Sequence, residues 1–399
     1  MWIIASLVAL ALMFWYFGWR WESTLRRPNM ASLSNIPLVS IMIPAYRSEG
    51  TIGEAISSAK GIDYPRKEII VVNDSKDRTP DICRQLGVKC IQNSERKGKC
   101  HALNDAVKKA RGEILFFLDS DTKADRDCLS RMVPWFSMPN IGAVSPKFSV
   151  LNKGNSWLTR MASLEHYFLN SFFKIHMYFG SLVSFWGFGI AIRKDVFSEL
   201  GGWSSTLLED ADFAAKMLEK GHDIQYEPSA GVSTMQPETV GELRKQRFRW
   251  GKGSMFTFFN HRSIYKGNAQ FTLYFIPYVL LAFAVISVFM FQTLNVFIPF
   301  VSLWVLYTFS MKEFLLLLGF IVIPMFATTA TTVAAGSLAH VAIMSYPEKQ
   351  SEVKARDIAW LVPYVCAYVP MIMAFYIKGM VSGIRDRRHS RDELCLKDW

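Results

Sequence analysis

Residues 2–19, WIIASLVALALMFWYFGW, carry no charged side chain, and several long apolar runs follow residue 270. A helix needs roughly 20 apolar residues to cross a bilayer. This uneven distribution therefore predicts a membrane protein with a large polar middle, which the overall hydrophobic fraction of 51% conceals. A cleaved signal peptide would open on basic residues and close on a small-residue cleavage site. This segment begins MWIIAS, ends in bulky aromatics and is followed by Arg20, Arg26 and Arg27. The positive-inside rule reads it as a retained anchor over 1–20 with Arg20 in the cytoplasm. Four further spans are predicted near 271–291, 294–310, 314–340 and 359–380, within a bundle over 270–380. They would leave the basic tail, 381–399, in the cytoplasm, and the chain as a multi-pass protein of the cell membrane.

A net charge of +11 raises the question of nucleic acid. The excess clusters beside apolar segments, from Arg20 to Arg27, Arg244 to Lys252 and Arg385 to Arg391. Basic flanks of membrane spans attract anionic lipid head groups, and the polar middle lacks a stacked-aromatic nucleic-acid signature. The expected partner is lipid, with no nucleic acid. Cys83, Cys90, Cys100 and Cys128 show no CxxC pairing, and the seven histidines no HExxH spacing. That argues against a zinc site or a disulfide scaffold and fits a reducing cytosol.

Between the apolar ends, strand-like and helix-like segments alternate. VSIMIPAY (39–46), EIIVVND (68–74), VKCIQN (88–93) and EILFFLDSDT (113–122) read as buried strands. TIGEAISSAKG (51–61), TPDICRQLG (79–87) and KCHALNDAVKKARG (99–112) read as the helices between them, the last closed by Gly112. This pattern predicts an α/β domain with a mostly parallel sheet covered on both faces. Such sheets bind ligands beyond the carboxyl ends of their strands, where Tyr46, Asp74, Asp119 and Asp121 fall. Further on, AVSPKFSV and FWGFGIAIRK read as strands, 156–175 as a helix and EDADFAAKMLEKG (209–221) as a helix ended by Gly221. DIQYEP (223–228) is a short strand before a basic helix over 241–265 that contains QRFRW.

Several short patterns in this region suit charged chemistry, and each also has a plainer reading. Asp119 and Asp121 stand two residues apart just past a strand, where carboxylates can share a Mg²⁺ or Mn²⁺ ion with substrate phosphates. A polar turn at a strand end would look the same. Asp74 could accept from a nucleoside or form an Asx-turn. Lys99 follows Gly98 at a helix start, a ready anion site, or a solvated basic loop. Glu209, Asp210 and Asp212 open a helix, where carboxylates complement the dipole, although one of them could serve as a general base. QRFRW in a basic aromatic helix before a membrane span reads as an interfacial helix.

Taken in order, these patterns resemble the membrane-integrated family 2 glycosyltransferases, the group of cellulose, chitin, hyaluronan and poly-N-acetylglucosamine synthases. The resemblance implies a GT-A type nucleotide-sugar-binding domain over 36–240. IPAY matches the opening strand, which would set Pro44, Ala45 and Tyr46 against the nucleotide base with Glu49 following. Asp74 would contact uracil, and GKCHALN (98–104) would bring Lys99 to the diphosphate. Asp119 and Asp121 match the DxD of the nucleotide and its metal. GFGIAIRKDV (187–196) and GGW (201–203) resemble the acceptor side. EDAD corresponds to a TED motif, making Asp210 the base beside Glu209. Gln246, Arg249 and Trp250 fit QxxRW, on the acceptor and diphosphate side. The chain departs from the pattern where Arg47 stands for Asn, where NDSKD lacks a glycine and where Leu208 stands for Thr.

The implied activity is inverting transfer of a sugar from a nucleotide diphosphate sugar, a UDP-sugar by the family pattern, to a polysaccharide or glycolipid acceptor, forming a β-linkage. A polymerising synthase and a single-transfer glycolipid enzyme both remain open, as does an accessory export subunit. A nucleotide-sensing transporter without catalysis is the rival from another class. Within the basic helix, Gln246, Arg249 and Trp250 share one face directed at the sugar site, whereas Arg244, Lys245 and Lys252 are expected to face lipid. Arg247 suits either role.

Overall fold

The first strand, β1 (Val39–Ala45), buries Val39, Ile41, Met42 and Ile43 completely, because helices cover the sheet on both faces. Each such side chain contributes about 1.5–3 kcal/mol when fully buried. The computed structural model describes residues 27–178, 180–265, 360 and 363–386, with single positions 16, 20 and 24 before them. The chain divides into two compact units, Met1–Trp19 with Asn268–Cys366, and Arg20–Gly267 with Ala367–Trp399. Nearly all of the first unit, including the expected anchor and the spans at 271–291, 294–310 and 314–340, lies outside the described residues. The second holds every element below.

From β1 the chain runs through α1 (Ile52–Gly61), β2 (Lys67–Asn73), α2 (Thr79–Gln85), β3 (Lys89–Gln92), α3 (Lys99–Val107) and β4 (Ile114–Phe117). It continues through β5 (Thr122–Ala124), α4 (Cys128–Met132), β6 (Ile141–Val150), α5 (Trp157–Tyr178), β7 (Ile190–Arg193) and α6 (Lys194–Glu199). It then forms α7 (Glu209–Glu219), β8 (Asp223–Thr234), α8 (Val240–Asn260), α9 (Arg262–Tyr265) and α10 (Val369–Asp386). The strand order is β3-β2-β1-β4-β7-β6-β8-β5. β3, β2, β1 and β4 run parallel, as the alternation of strands and helices requires. β1 feeds outward to β2 and β3 while β4 lies on its other side, so a switch point opens between β1 and β4.

The expectation of a mostly parallel sheet needs correction: beyond β4 the sheet is mixed. β7 pairs antiparallel with β4 and β6, and β5 pairs antiparallel with β8, while β6 and β8 are parallel. FWGFGIAIRK supplies only four strand residues, because Gly189 takes φ +70 and donates to Phe117 O at 2.6 Å, turning the segment before it out of the ladder. The third helix ends at Val107, not at Gly112. Gly112 lies against β1, its N–H donating to Ser40 Oγ at 2.8 Å, where a Cβ would meet the Ser40 backbone. β8 runs on to Thr234, six residues past the expected strand, across a register break opposite Pro146 and Lys147.

α8 opens on a capping box, Thr239 with Glu242, and carries QRFRW. It packs in parallel against α10 through three glycines. Gly251 meets Tyr376 and Met380, Gly379 meets Phe248 and Lys252, and Gly383 meets Lys252 and Met255. This approach overturns the lipid-facing expectation for Lys252, which is buried and paired with Asp386 at 3.0 Å. Arg247 is also internal, whereas Arg244 and Lys245 are exposed. Among the described residues no helix is long and apolar enough to cross a membrane. That includes α10, which takes up part of the span expected at 359–380 and carries Lys378, Arg385 and Asp386. Gly379→Val should therefore destabilise the protein by about 2–3 kcal/mol through overpacking. Gly154, with open space around it, is the control. A thermal melt of Gly379→Val no lower than that of Gly154→Val would contradict the close packing.

Candidate active site

The switch point between β1 and β4 is a cavity of about 290 Å³. Its wall brings together Pro44, Ala45, Tyr46, Asp74, Lys99, Asp119 and Asp121 from strand ends, loops and the start of α3. Glu49 is not in this wall: its carboxylate accepts from the Arg78 backbone N–H at 3.2 Å and pairs with that guanidinium at 3.5 Å. Arg96 holds its guanidinium 4.4 Å from the Tyr46 ring centroid. Arg47 takes φ +53, a conformation uncommon for a residue with a side chain. Its N–H donates to Ser75 Oγ at 3.0 Å, tying the turn after β1 to the turn after β2.

Asp74 organises the loop ahead of α3. Its oxygens accept from Asn93 Nδ2 at 2.9 Å, from Lys97 N at 2.9 and 3.0 Å, and from Gly98 N at 2.7 Å. Gly98 sits at φ +82 and ψ 156, a region essentially reserved for glycine. The loop so fixed delivers Lys99 into the cavity. Lys99 Nζ lies 3.1 Å from Asp119 Oδ1 and 3.1 Å from Glu209 Oε1, with its side chain 10% exposed. Burial would lower its pKa, but the Asp119 and Glu209 carboxylates outweigh burial and hold it above the ordinary lysine value. Asp121, partly buried and close to the Asp119 charge, is pushed up from the usual carboxylate value.

The three carboxylates that open α7 have three different environments. Glu209 is buried; desolvation opposes its charge, yet Lys99 and Arg249 keep its pKa below the ordinary value. Asp210 is pushed up to about 6 by desolvation and by the neighbouring Glu209 charge. Its Oδ2 accepts from Gly187 N at 2.9 Å and its Oδ1 from Ala211 N at 2.7 Å, so its orientation is set by backbone. Asp212 points elsewhere, accepting from His261 Nε2 at 3.0 Å; His261 Nδ1 meets Glu219 at 3.0 Å. That bridge ties the end of α8 to α7.

Of the three QxxRW residues on α8, Arg249 and Trp250 have contacts that bring them to this site, whereas no contact places Gln246 there. Arg249 acts on Glu209 through its charge, and Trp250 lies 5.2 Å from the Trp186 ring at 57°. Trp186 directly precedes the glycine that holds Asp210. Trp186 and Asn104 escaped the sequence reading. Asn104 exchanges two hydrogen bonds with the Trp203 backbone, at 2.8 and 2.9 Å, clamping the GGW turn onto α3. The spacing of GKCHALN and GGW was visible in the sequence, but no local signal joined two segments 99 residues apart.

Among the described residues no group of three His, Cys, Asp or Glu side chains is arranged to hold a metal. Asp119 and Asp121 nevertheless fit a hard cation that completes its shell with phosphate oxygens. Both donors are carboxylates, and both line the same cavity past the end of β4.

Residues 40–201 match a protein family described as Glycosyl transferase family 2. The chain is 30% identical over 223 residues to the poly-beta-1,6-N-acetyl-D-glucosamine synthase of Staphylococcus epidermidis, covering 54% of each chain. It is 28% identical over 260 residues to the synthase of the same name from Staphylococcus aureus strain MSSA476, covering 63% of this chain and 61% of that one. The chain thus spans between half and two thirds of the curated relatives it matches. A mannosyltransferase from Pyrobaculum calidifontis, solved with GDP-Man and Mn²⁺, shares the fold at a TM-score of 0.59 and 22% identity, covering 97% of this chain and 98% of that one. Residues 40–201 therefore form a glycosyl transferase family 2 domain on a GT-A-like α/β fold, in a chain with homology to proteins named poly-beta-1,6-N-acetyl-D-glucosamine synthase.

Proposed function

We propose that this chain transfers a sugar, with inversion, from a nucleotide diphosphate sugar to a carbohydrate acceptor at a membrane. The observation that carries the reading is Asp210: its pKa is raised to about 6 and its oxygens are aimed by two backbone N–H groups, beside the Lys99–Glu209 pair and the Trp186–Trp250 indoles. A general base works best when its pKa lies near the operating pH.

In this mechanism the nucleotide lies in the cavity against Tyr46, with Asp74 at the base side as the resemblance implies. Lys99 and Arg249 face the diphosphate and stabilise charge as it develops there. A Mg²⁺ or Mn²⁺ ion, held by Asp119 and Asp121 with phosphate oxygens, would supply further neutralisation of the leaving group. Asp210 takes the acceptor hydroxyl proton while that oxygen bonds to the anomeric carbon. The bond from that carbon to the phosphate oxygen breaks, and its electron pair leaves with the diphosphate. Attack from the opposite face gives a β-linkage from an α-linked donor. Trp250 offers the acceptor ring a large rigid apolar face. The family resemblance of the motifs favours a UDP-sugar donor, and the similarity to enzymes named poly-beta-1,6-N-acetyl-D-glucosamine synthase favours a polysaccharide product. The uncharged segment 2–19 and the apolar runs after residue 270 support a multi-pass arrangement with the sheet domain in the cytoplasm.

The test is to incubate the purified protein in lipid with a panel of nucleotide sugars and Mg²⁺ or Mn²⁺, following nucleotide release and product size. A long product with one donor is expected. One added sugar in the organic phase would replace polymerisation with glycolipid synthesis, and no release with any donor would overturn the proposal.

A further inference from the structure

QRFRW has five side chains, and the mechanism uses two of them, Arg249 and Trp250. Arg247, between Gln246 and Arg249, is 3% exposed. Its Nη2 donates to Glu165 Oε2 at 2.6 Å and to Tyr368 Oη at 3.4 Å, and Tyr368 Oη donates to the same Glu165 oxygen at 2.8 Å. Glu165 lies on α5, Arg247 on α8, and Tyr368 directly precedes α10, so three helical segments meet at one carboxylate oxygen. A buried ion pair is not retained for stability alone, since desolvating two charges offsets their attraction and an apolar cluster packs as well. What such a pair does provide is a fixed orientation for the groups around it.

Here the group being oriented is Trp250. The Arg247 guanidinium lies 4.2 Å from the Trp250 ring centroid, in cation–π contact, while Trp186 meets the same indole at 5.2 Å. With Nη2 held by Glu165 and Tyr368, the flat guanidinium is a shelf that fixes the tilt of the indole. Among the described residues, the buried Arg247 Nε, Gln246 Oε1 and His166 Nδ1 find no hydrogen-bond partner. His166 lies against Trp186 at 5.3 Å, and burial together with the Arg247 charge pushes its pKa down to about 4, so it stays neutral. The half-buried Trp250 indole, backed by Arg247 and Trp186, offers a fixed apolar face that suits a sugar ring.

We propose that Arg247 is a positioning residue for the acceptor: pinned by Glu165 and Tyr368, it sets the tilt of Trp250 and thereby the affinity for the incoming sugar chain, without acting on the donor. This rests on the acceptor reading given above. Full-length protein in lipid is assayed with the donor selected by the panel and a short oligosaccharide of the same sugar as acceptor. Arg247→Met is expected to raise the acceptor KM about tenfold while the donor KM stays within about twofold, because a uniform-binding contact to one substrate only is lost. Arg247→Lys should fail to rescue it, since an ammonium cannot replace the flat fork. Glu165→Gln combined with Arg247→Met should cost no more than Arg247→Met alone, as expected of one network. Tyr368→Phe removes a single hydroxyl and should raise the acceptor KM to a lesser degree; it carries the test if Arg247→Met does not fold. An unchanged acceptor KM in a folded variant, a parallel rise in both KM values, or full rescue by Lys would overturn the inference. A wild-type protein that releases no nucleotide removes the parent reading and this one with it; wild-type turnover without the acceptor-specific effect removes this one alone.

Discussion

Asp210→Asn is expected to stop sugar transfer, lowering turnover by about three orders of magnitude or more, the scale at which a general base and its transition-state contacts are lost together. The amide keeps the shape of the carboxylate, and its oxygen can still accept from Gly187 N or Ala211 N. It cannot take a proton. The cavity around Tyr46 and Lys99 is untouched, so nucleotide affinity should stay near wild type, measured by calorimetry with the nucleoside diphosphate. The wild-type rate should rise with pH through about 6, where Asp210 loses its proton and becomes a competent base. Near-normal turnover by Asp210→Asn, or a rate that falls across that range, would remove Asp210 from the mechanism. Silent behaviour with intact nucleotide binding is what a non-catalytic sensor would show.

Lys99→Met should be nearly as severe, for a different reason. The ammonium bridges Asp119 and Glu209, and methionine keeps the stem while removing the charge. Glu209, 6% exposed, would then lose its closest counter-ion. Breaking a buried pair by removing one partner costs about 3–5 kcal/mol. Catalytic efficiency should fall by about a hundredfold to a thousandfold, comparable to losing one oxyanion-stabilising group. Asp210 should also respond. Lys99 is one of the charges that holds its pKa down, so the pH at which the rate rises should move upward in any residual activity. Kinetics showing an unshifted profile and a wild-type donor KM would place Lys99 outside the donor site.

The alternation of strands and helices was legible because VSIMIPA, EIIVVN and ILFF are uninterrupted apolar runs, each followed by a polar turn. β8 was only half legible. The chain breaks register after Glu227 and resumes at Gly231, so Pro228, Ser229 and Ala230 interrupt the apolar pattern in mid-strand. The functional motifs were visible as spacings, but their physical partners were not. Asp74 could be seen at a strand end, whereas its bonds to Asn93, Lys97 and Gly98 depend on a loop 19 to 24 residues away. The basic run from Arg244 to Lys252 read as a surface. Its true division follows from Gly251, Gly379 and Gly383, which let α10 cover one face, and no pattern local to the run reveals a helix more than a hundred residues later.

The Arg247–Tyr368 contact, 121 residues apart in sequence, has a consequence for the order of assembly. All eight strands of the sheet lie before residue 235, and domains generally form as units in the order of synthesis. The cavity between the ends of β1 and β4 can therefore be complete while the helix carrying Trp250 still lacks its partner. Only when the segment beginning at residue 368 has been made and brought back is Arg247 pinned beneath Trp250. On the proposed reading, a nascent chain of this design would hold nucleotide before it could use it, and turnover would wait for the segment from residue 368.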